Sequence, residues 1–384
     1  MTLTLEAVLN AAAKQLPEPP VLDAHAREGL TYLLADLNQH ARLHERGMQS
    51  ALGDFVQNLI VRSSVESYLK KNPQLLENKI EKPLFVFGLP RTGTTLVINL
   101  LSADPMRRCF LRWESQTPTP PPKPEELHSG PRFEKSQEMT DLSLKYAPHI
   151  SAIHHEDADS PTECQFLMSP TFLAEVYDSK YHLPNYQNWF LHEADYLPSF
   201  EFHKRYLQLL QAEAPGRWTL KNPWHPLFLN ELTSVYPDAQ LVMTHRDPAE
   251  VLASGCSLLW AVRNMFSDDV SREEIADTLQ RTFDLMIQRM MDYRERQGWD
   301  SIHDVHYSDV MKDPLASIRG IYERFGEPLS AEAETAMVGY MAANPKGKHG
   351  KHHYSLEEFG LSREGVWQRY RDYLECFNIN VNHS

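Results

Sequence analysis

The sequence is short of cysteine, of positive charge and of long apolar runs, and each shortage narrows what the protein can be. Its 4 cysteines, Cys109, Cys164, Cys256 and Cys376, are scattered among 384 residues without a C-x-x-C pair. That pattern excludes a disulfide framework and a thiolate zinc site, and it fits a cytoplasmic protein with reduced thiols. The net charge of −14 argues against a general nucleic-acid binder, because phosphate neutralisation needs basic surface. A local basic pocket on an acidic body stays compatible with it. No segment reaches the roughly 18 to 20 apolar residues of a membrane span. The first residues, MTLTLEAVLNAAAKQL, lack the basic and apolar regions of a signal peptide. What remains is ordinary soluble composition, 42% hydrophobic and 23% charged, in a chain long enough for one large domain or two intimate ones.

Residues 1–80 repeat apolar positions every three to four residues and predict a helical region packed on the core. Lys82-Pro83 ends it. Leu84 to Phe87 then form a short apolar run that predicts a buried strand, followed by a glycine-containing turn and the helical rhythm of LVINLLSADP. PTPPPKP at 118–124 is a stiff connector. Residues 131–213 read as a mainly helical insertion crowded with aromatics. RWTLK at 217–221, AQLVMT at 239–244 and SIHDVHY at 301–307 read as further strands, separated by helical patterns. Alternating strands and helices imply an α/β fold with a mostly parallel sheet. The second region, 81–384, is therefore expected to be one three-layer domain carrying that insertion.

The turn after the first strand lacks something too. FVFGLPRTGTT, residues 85–95, nearly spells the phosphate loop G-x-x-x-x-G-K-[ST], but Thr94 stands where the lysine belongs and Arg91 lies inside the loop. Gly88 and Gly93 let backbone N–H groups turn inward on an anion, and the following helix adds its positive end. Without the lysine, a magnesium triphosphate is a poorer ligand than one with two or three separate anionic groups. Other cations must then come from elsewhere. Lys221 ends a strand, and Arg246 follows another with Ser254 eight residues later. Strand C-termini face the ligand crevice of such sheets, and an Arg with a Ser can grip one phosphate.

Together these residues resemble the sulfotransferases that use 3′-phosphoadenosine 5′-phosphosulfate (PAPS), in their bacterial-type branch. The resemblance runs from about residue 84 to 370 on GLPRTGTT, LKNPWH and HRDP. It implies a P-loop three-layer α/β fold, a PAPS donor and no required metal. It also implies that Arg91, Thr92, Gly93, Thr94 and Thr95 hold the 5′-phosphosulfate, and that Arg246 and Ser254 hold the 3′-phosphate. Lys221 matches the lysine that meets the departing bridging oxygen. Tyr307, in YSD, corresponds to the adenine-side tyrosine, although Ser308 departs from the family's Tyr-Glu-Asp. Lys348, Gly350 and Lys351, in NPKGKHGKHHYS, stand where relatives carry Arg-Lys-Gly.

Sulfuryl transfer to a hydroxyl needs a group to take the proton. Three candidates remain open. Glu114 follows the first crossover helix, His155 lies in IHHEDADSPTECQF, and His225 is four residues beyond Lys221. Glu163 is left outside the catalytic set as a residue that could orient another group. His349, His352 and His353 lack an acid or cysteine to complete a metal site, so a basic anion-binding loop is the simpler reading. The aromatic stretch from Tyr177 to Tyr196 could line an acceptor pocket or be core. The acceptor itself is expected to be a small molecule, lipid or glycan rather than a nucleic acid. The alternatives are a P-loop kinase or NTPase, for which Asp247 is a poor magnesium ligand, and a catalytically silent nucleotide-binding protein.

Overall fold

The first strand, β1 (Leu84–Gly88), carries apolar side chains on both faces. This is what a parallel strand covered by helices on two sides requires. Leu84 and Val86 point to one face and pack with Val97, Leu100 and Leu101 of the helix Thr94–Ser102 and with Ile318 and Ile321. Phe85 and Phe87 point to the other face and join a larger core. The computed structural model describes residues 2–146, 156–345 and 354–381.

Four more strands flank β1: β2 (Arg107–Cys109), β3 (Arg217–Lys221), β4 (Gln240–His245) and β5 (His303–His306). They form one sheet in the order β2-β3-β1-β4-β5, with every neighbouring pair parallel. In this register Phe85 lies between Leu220 of β3 and Leu241 of β4. The chain leaves β1 with β3 on one side and β4 on the other, so the crevice opens at the C-terminal end of β1. The phosphate-type loop occupies that position.

Three helices, Leu5–Ala13, Ala24–Gln39 and Glu45–Lys71, precede the sheet. Each starts on a side-chain cap, from Thr4, Asp23 and His44, which satisfies an otherwise orphan N–H. Their apolar sides continue the Phe85/Phe87 core. The link from β2 to β3 holds the helices Pro131–Tyr146, Val176–Lys180, Pro184–His192 and Leu197–Leu210. Its aromatic stretch is core: Tyr177, Tyr181, Tyr186, Trp189, Phe190 and Tyr196 are all buried and pack with the N-terminal helices.

β2 had no counterpart in the sequence reading. It contains two arginines, yet both are buried. Arg107 donates to Tyr322 Oη at 2.8 Å, Thr219 Oγ1 at 2.9 Å and Glu327 Oε2 at 2.7 Å. Arg108 pairs with Glu114 and lies over the Trp218 ring at 5.0 Å. Buried guanidinium groups persist only with such partners.

Candidate active site

The loop after β1 is shaped by two close approaches. A Cβ on Gly88 would lie 2.4 Å from the Thr244 carbonyl oxygen, so β1 and β4 can pair here only around glycine. Gly93 has φ of +94° and a Cβ there would meet the Tyr307 ring at 2.8 Å. The Thr92 hydroxyl donates to Leu89 O at 2.7 Å and lies 2.6 Å from Thr244 Oγ1. Its side chain therefore staples the loop to β4, and only backbone is left at this position to meet a ligand. The helix Thr94–Ser102 begins on Gly93 without a side-chain cap, which leaves its first N–H groups and its positive end for an anion.

Two arginines converge behind this loop. Arg91 has φ of +71°, an uncommon conformation for a residue with a Cβ. Its carbonyl oxygen accepts from Arg246 Nη1 at 3.0 Å, and its own Nε donates to Ser254 Oγ at 3.0 Å. The Arg246 guanidinium stacks on the Tyr307 ring at 4.3 Å. Glu250 is the acid within reach, 3.6 Å from Arg246 Nη2, and Arg363 shares it at 2.5 Å. Burial, and then the neighbouring Arg246 charge, lower the Arg91 pKa from its ordinary value. Two crowded cations with one shared acid make a receptive place for phosphate.

On the other side of the loop stands Lys221. It is fully buried at the end of β3, with Nζ 3.4 Å from Thr95 Oγ1 and 3.1 Å from Glu163 Oε1. The backbone brings these residues together: Glu163 and Lys221 form a parallel bridge, and Cys164 N donates to Lys221 O at 2.8 Å. The second oxygen of Glu163 accepts from Gln165 Nε2. Acid, ammonium and loop hydroxyl thus meet at one point of the crevice.

With this arrangement in view, the comparisons with known proteins are decisive. Residues 83–331 match the sulfotransferase family. The whole chain resembles the crystal structure of sulfotransferase STF9 from Mycobacterium avium, with a TM-score of 0.92 and 33% identity over 99% of this chain and 98% of that one. The chain belongs to the sulfotransferase family. Sulfotransferase STF1 from Mycobacterium tuberculosis H37Rv is also similar, with a TM-score of 0.85 and 30% identity over 97% of this chain and 99% of that one. The curated omega-hydroxy-beta-dihydromenaquinone-9 sulfotransferases Stf3 of Mycobacterium bovis and Mycobacterium tuberculosis are 23% identical over 253 residues, covering 64% of this chain and 63% of theirs.

In this sulfotransferase the three candidate bases have different fates. His155 lies outside the described residues, as do Lys348, Gly350, Lys351 and the neighbouring His349, His352 and His353. Glu114 is wholly buried, with one oxygen on Arg108 and the other accepting Leu111 N at 2.9 Å. It is committed to holding the turn after β2. His225 faces the aromatic core instead of the crevice, edge-on to Phe85 at 5.3 Å and beside Phe200 at 5.8 Å. Its Nε2 has no hydrogen-bond partner among the described residues, and burial pulls its pKa well below the usual imidazole value. These placements argue against Glu114 and His225 as the base. The acid that does sit in the crevice is Glu163. Nothing in its local sequence marks it, because its pairing with Lys221 depends on the isolated bridge.

The buried histidines carry a pH signature. His203 packs next to His225, with Nδ1 2.7 Å from Tyr236 Oη, and burial lowers its pKa from 6.5 to about 3. The unfolded chain takes up a proton near the ordinary value while the folded ring does not. Stability is therefore complete above about pH 6.5 and is lost as pH falls below it, by about 2 kcal/mol at pH 5 from His203 alone. His225 acts in the same direction. His225→Phe is expected to flatten the fall in melting temperature between pH 7.5 and 5; a slope equal to that of the parent protein would refute this.

Proposed function

We propose that the protein transfers a sulfuryl group from PAPS to an acceptor hydroxyl and releases 3′-phosphoadenosine 5′-phosphate. The observation that carries this reading is the contact of Arg91 with both Arg246 and Ser254 beside a loop without its lysine. It joins a site for a second, separate phosphate to the loop itself, and the donor has that distribution of charge. The residues fit it. Loop amides with Thr94 and Thr95 would hold the 5′-phosphosulfate, Arg246 and Ser254 the 3′-phosphate, and the Tyr307 ring the adenosine side.

When bound, PAPS supplies the sulfuryl group, its bridging S–O bond breaking as the acceptor O–S bond forms. Lys221 places a dry positive charge beside Thr95, where negative charge on a leaving oxygen is stabilised most strongly. Glu163 takes the acceptor's proton. In the resting protein Lys221 is shared, so an anionic oxygen at the loop competes with Glu163 for it. Gln165 keeps the second oxygen of Glu163 in place. The Stf3 proteins, named for a dihydromenaquinone substrate, favour a lipid or other small-molecule hydroxyl as acceptor. The helices of residues 131–213 supply the acceptor side of the crevice in this reading.

Ligand-induced thermal stabilisation tests the donor. At about a hundredfold excess over its dissociation constant, a nucleotide that binds only the folded state adds about 2.7 kcal/mol. 3′-Phosphoadenosine 5′-phosphate is expected to raise the melting temperature more than Mg-ATP at equal concentration. A larger shift with Mg-ATP would favour a kinase or NTPase and overturn the proposal.

A further inference from the structure

The chain carries one cation near Glu163 that the transfer chemistry leaves unused. Arg112 lies just beyond β2, in the turn Arg112–Ser115. Its backbone is fixed: Arg112 N donates to Ser160 O at 3.1 Å, Leu111 bridges Pro161, and Thr162 N donates to Phe110 O at 2.8 Å. The ladder is antiparallel, so Arg112 sits at its Ser160 end and Glu163 follows Thr162 at the other, and the link between the two runs through Phe166. The guanidinium lies over the Phe166 ring at 4.0 Å. Phe166 is one turn from Glu163, its N–H donating to Glu163 O at 3.0 Å.

What Arg112 lacks is an anion. Its Nη1 is buried without a hydrogen-bond partner, and it makes no ion pair with any described residue. Of the acids in this part of the chain, Glu114 is held by Arg108 and Glu163 by Lys221 and Gln165, while one oxygen of Glu156 accepts from Thr162 Oγ1. The other guanidinium groups at β2, Arg107 and Arg108, both have carboxylate partners. In a chain of net charge −14, a half-buried guanidinium with an idle, dehydrated N–H is costly unless a ligand completes it. A planar fork on an aromatic face is suited to carboxylate, sulfonate or phosphate oxygens.

We propose that Arg112 binds an anionic group on the acceptor, so that preferred acceptors carry an oxyanion close to the hydroxyl that is sulfated. This rests on the sulfotransferase reading and on Glu163 marking the reacting end. It adds a selectivity that neither requires.

Two matched phenols, 4-hydroxybenzoate and 4-hydroxybenzamide, test it in the intact enzyme. Dissociation constants would be measured calorimetrically on the complex with 3′-phosphoadenosine 5′-phosphate, and kcat/KM with PAPS. The anionic phenol is expected to be favoured by about tenfold or more, the size of a charge-assisted hydrogen bond. Arg112→Gln should bring the ratio of the two phenols close to one, and Arg112→Lys should restore part of it. Using the ratio separates lost recognition from any general loss of activity or folding. An anionic phenol bound no better than the amide, or a preference that survives Arg112→Gln, overturns the proposal. Failure of the underlying reading shows differently, as no turnover of any phenol together with no stabilisation by the donor product.

Discussion

Lys221→Ala is expected to lower the single-turnover rate of sulfuryl transfer by about a thousandfold, the scale on which a preorganised charge at a developing anion acts. Lys221 is buried and reaches Thr95 of the loop, so its charge acts on the loop with little screening, which a neutral water in its place would not supply. Affinity for 3′-phosphoadenosine 5′-phosphate is expected to change far less, because the two arginines and the loop amides remain. A loss confined to the chemical step is the signature of an interaction made mainly in the transition state. The protein should still fold, since the Glu163 left behind is partly open to water and can rehydrate. An unchanged rate would remove Lys221 from the mechanism, and an equal loss of nucleotide affinity would make it a binding residue.

Glu163→Gln is the second large effect. General bases contribute roughly 10²- to 10⁴-fold, and the amide keeps the shape of the side chain while losing its basicity. The variant should lose that rate in single turnover. A variant with a normal rate would return the role to another group, His155 included. The amide also frees Lys221 from its ion pair, so affinity for the donor product should hold or improve.

Much of the frame was legible in the chain because it depends on local pattern. β1, β3 and β4 are apolar runs next to turn signals, and β5 precedes a helix that begins at Tyr307. The phosphate-type loop announces itself through glycines whose spacing the backbone enforces. β2 was not legible. Two adjacent arginines carry no strand signal, and they enter the interior only because Glu327 and Glu114, neither of them adjacent to β2 in sequence, neutralise them there. Glu163 was weighed and set aside for the same reason: its significance lies in a bridge to Lys221 that no local spacing encodes. His225 shows the converse error. Its distance from Lys221 along the chain is suggestive, but the chain turns through Pro226 and sends the ring among Phe85, Phe87 and Phe200. Thr92 lies between these cases, in the right loop but with its hydroxyl spent on Thr244.

The bridge between Glu163 and Lys221 has a consequence for redesign. Both residues are anchored by main-chain bonds to the sheet, Glu163 through Cys164 N and Lys221 through the pairing of β3 with β1. Gln165 holds the second oxygen of Glu163, but no described side chain of the β2-to-β3 connection beyond Phe166 is hydrogen-bonded or ion-paired to either residue. The proposed reacting pair therefore belongs to the chassis, and the proposed acceptor wall is an interchangeable fitting. Replacing surface and pocket residues beyond Phe166 should alter which alcohol is accepted while the spacing of acid, ammonium and loop is inherited intact.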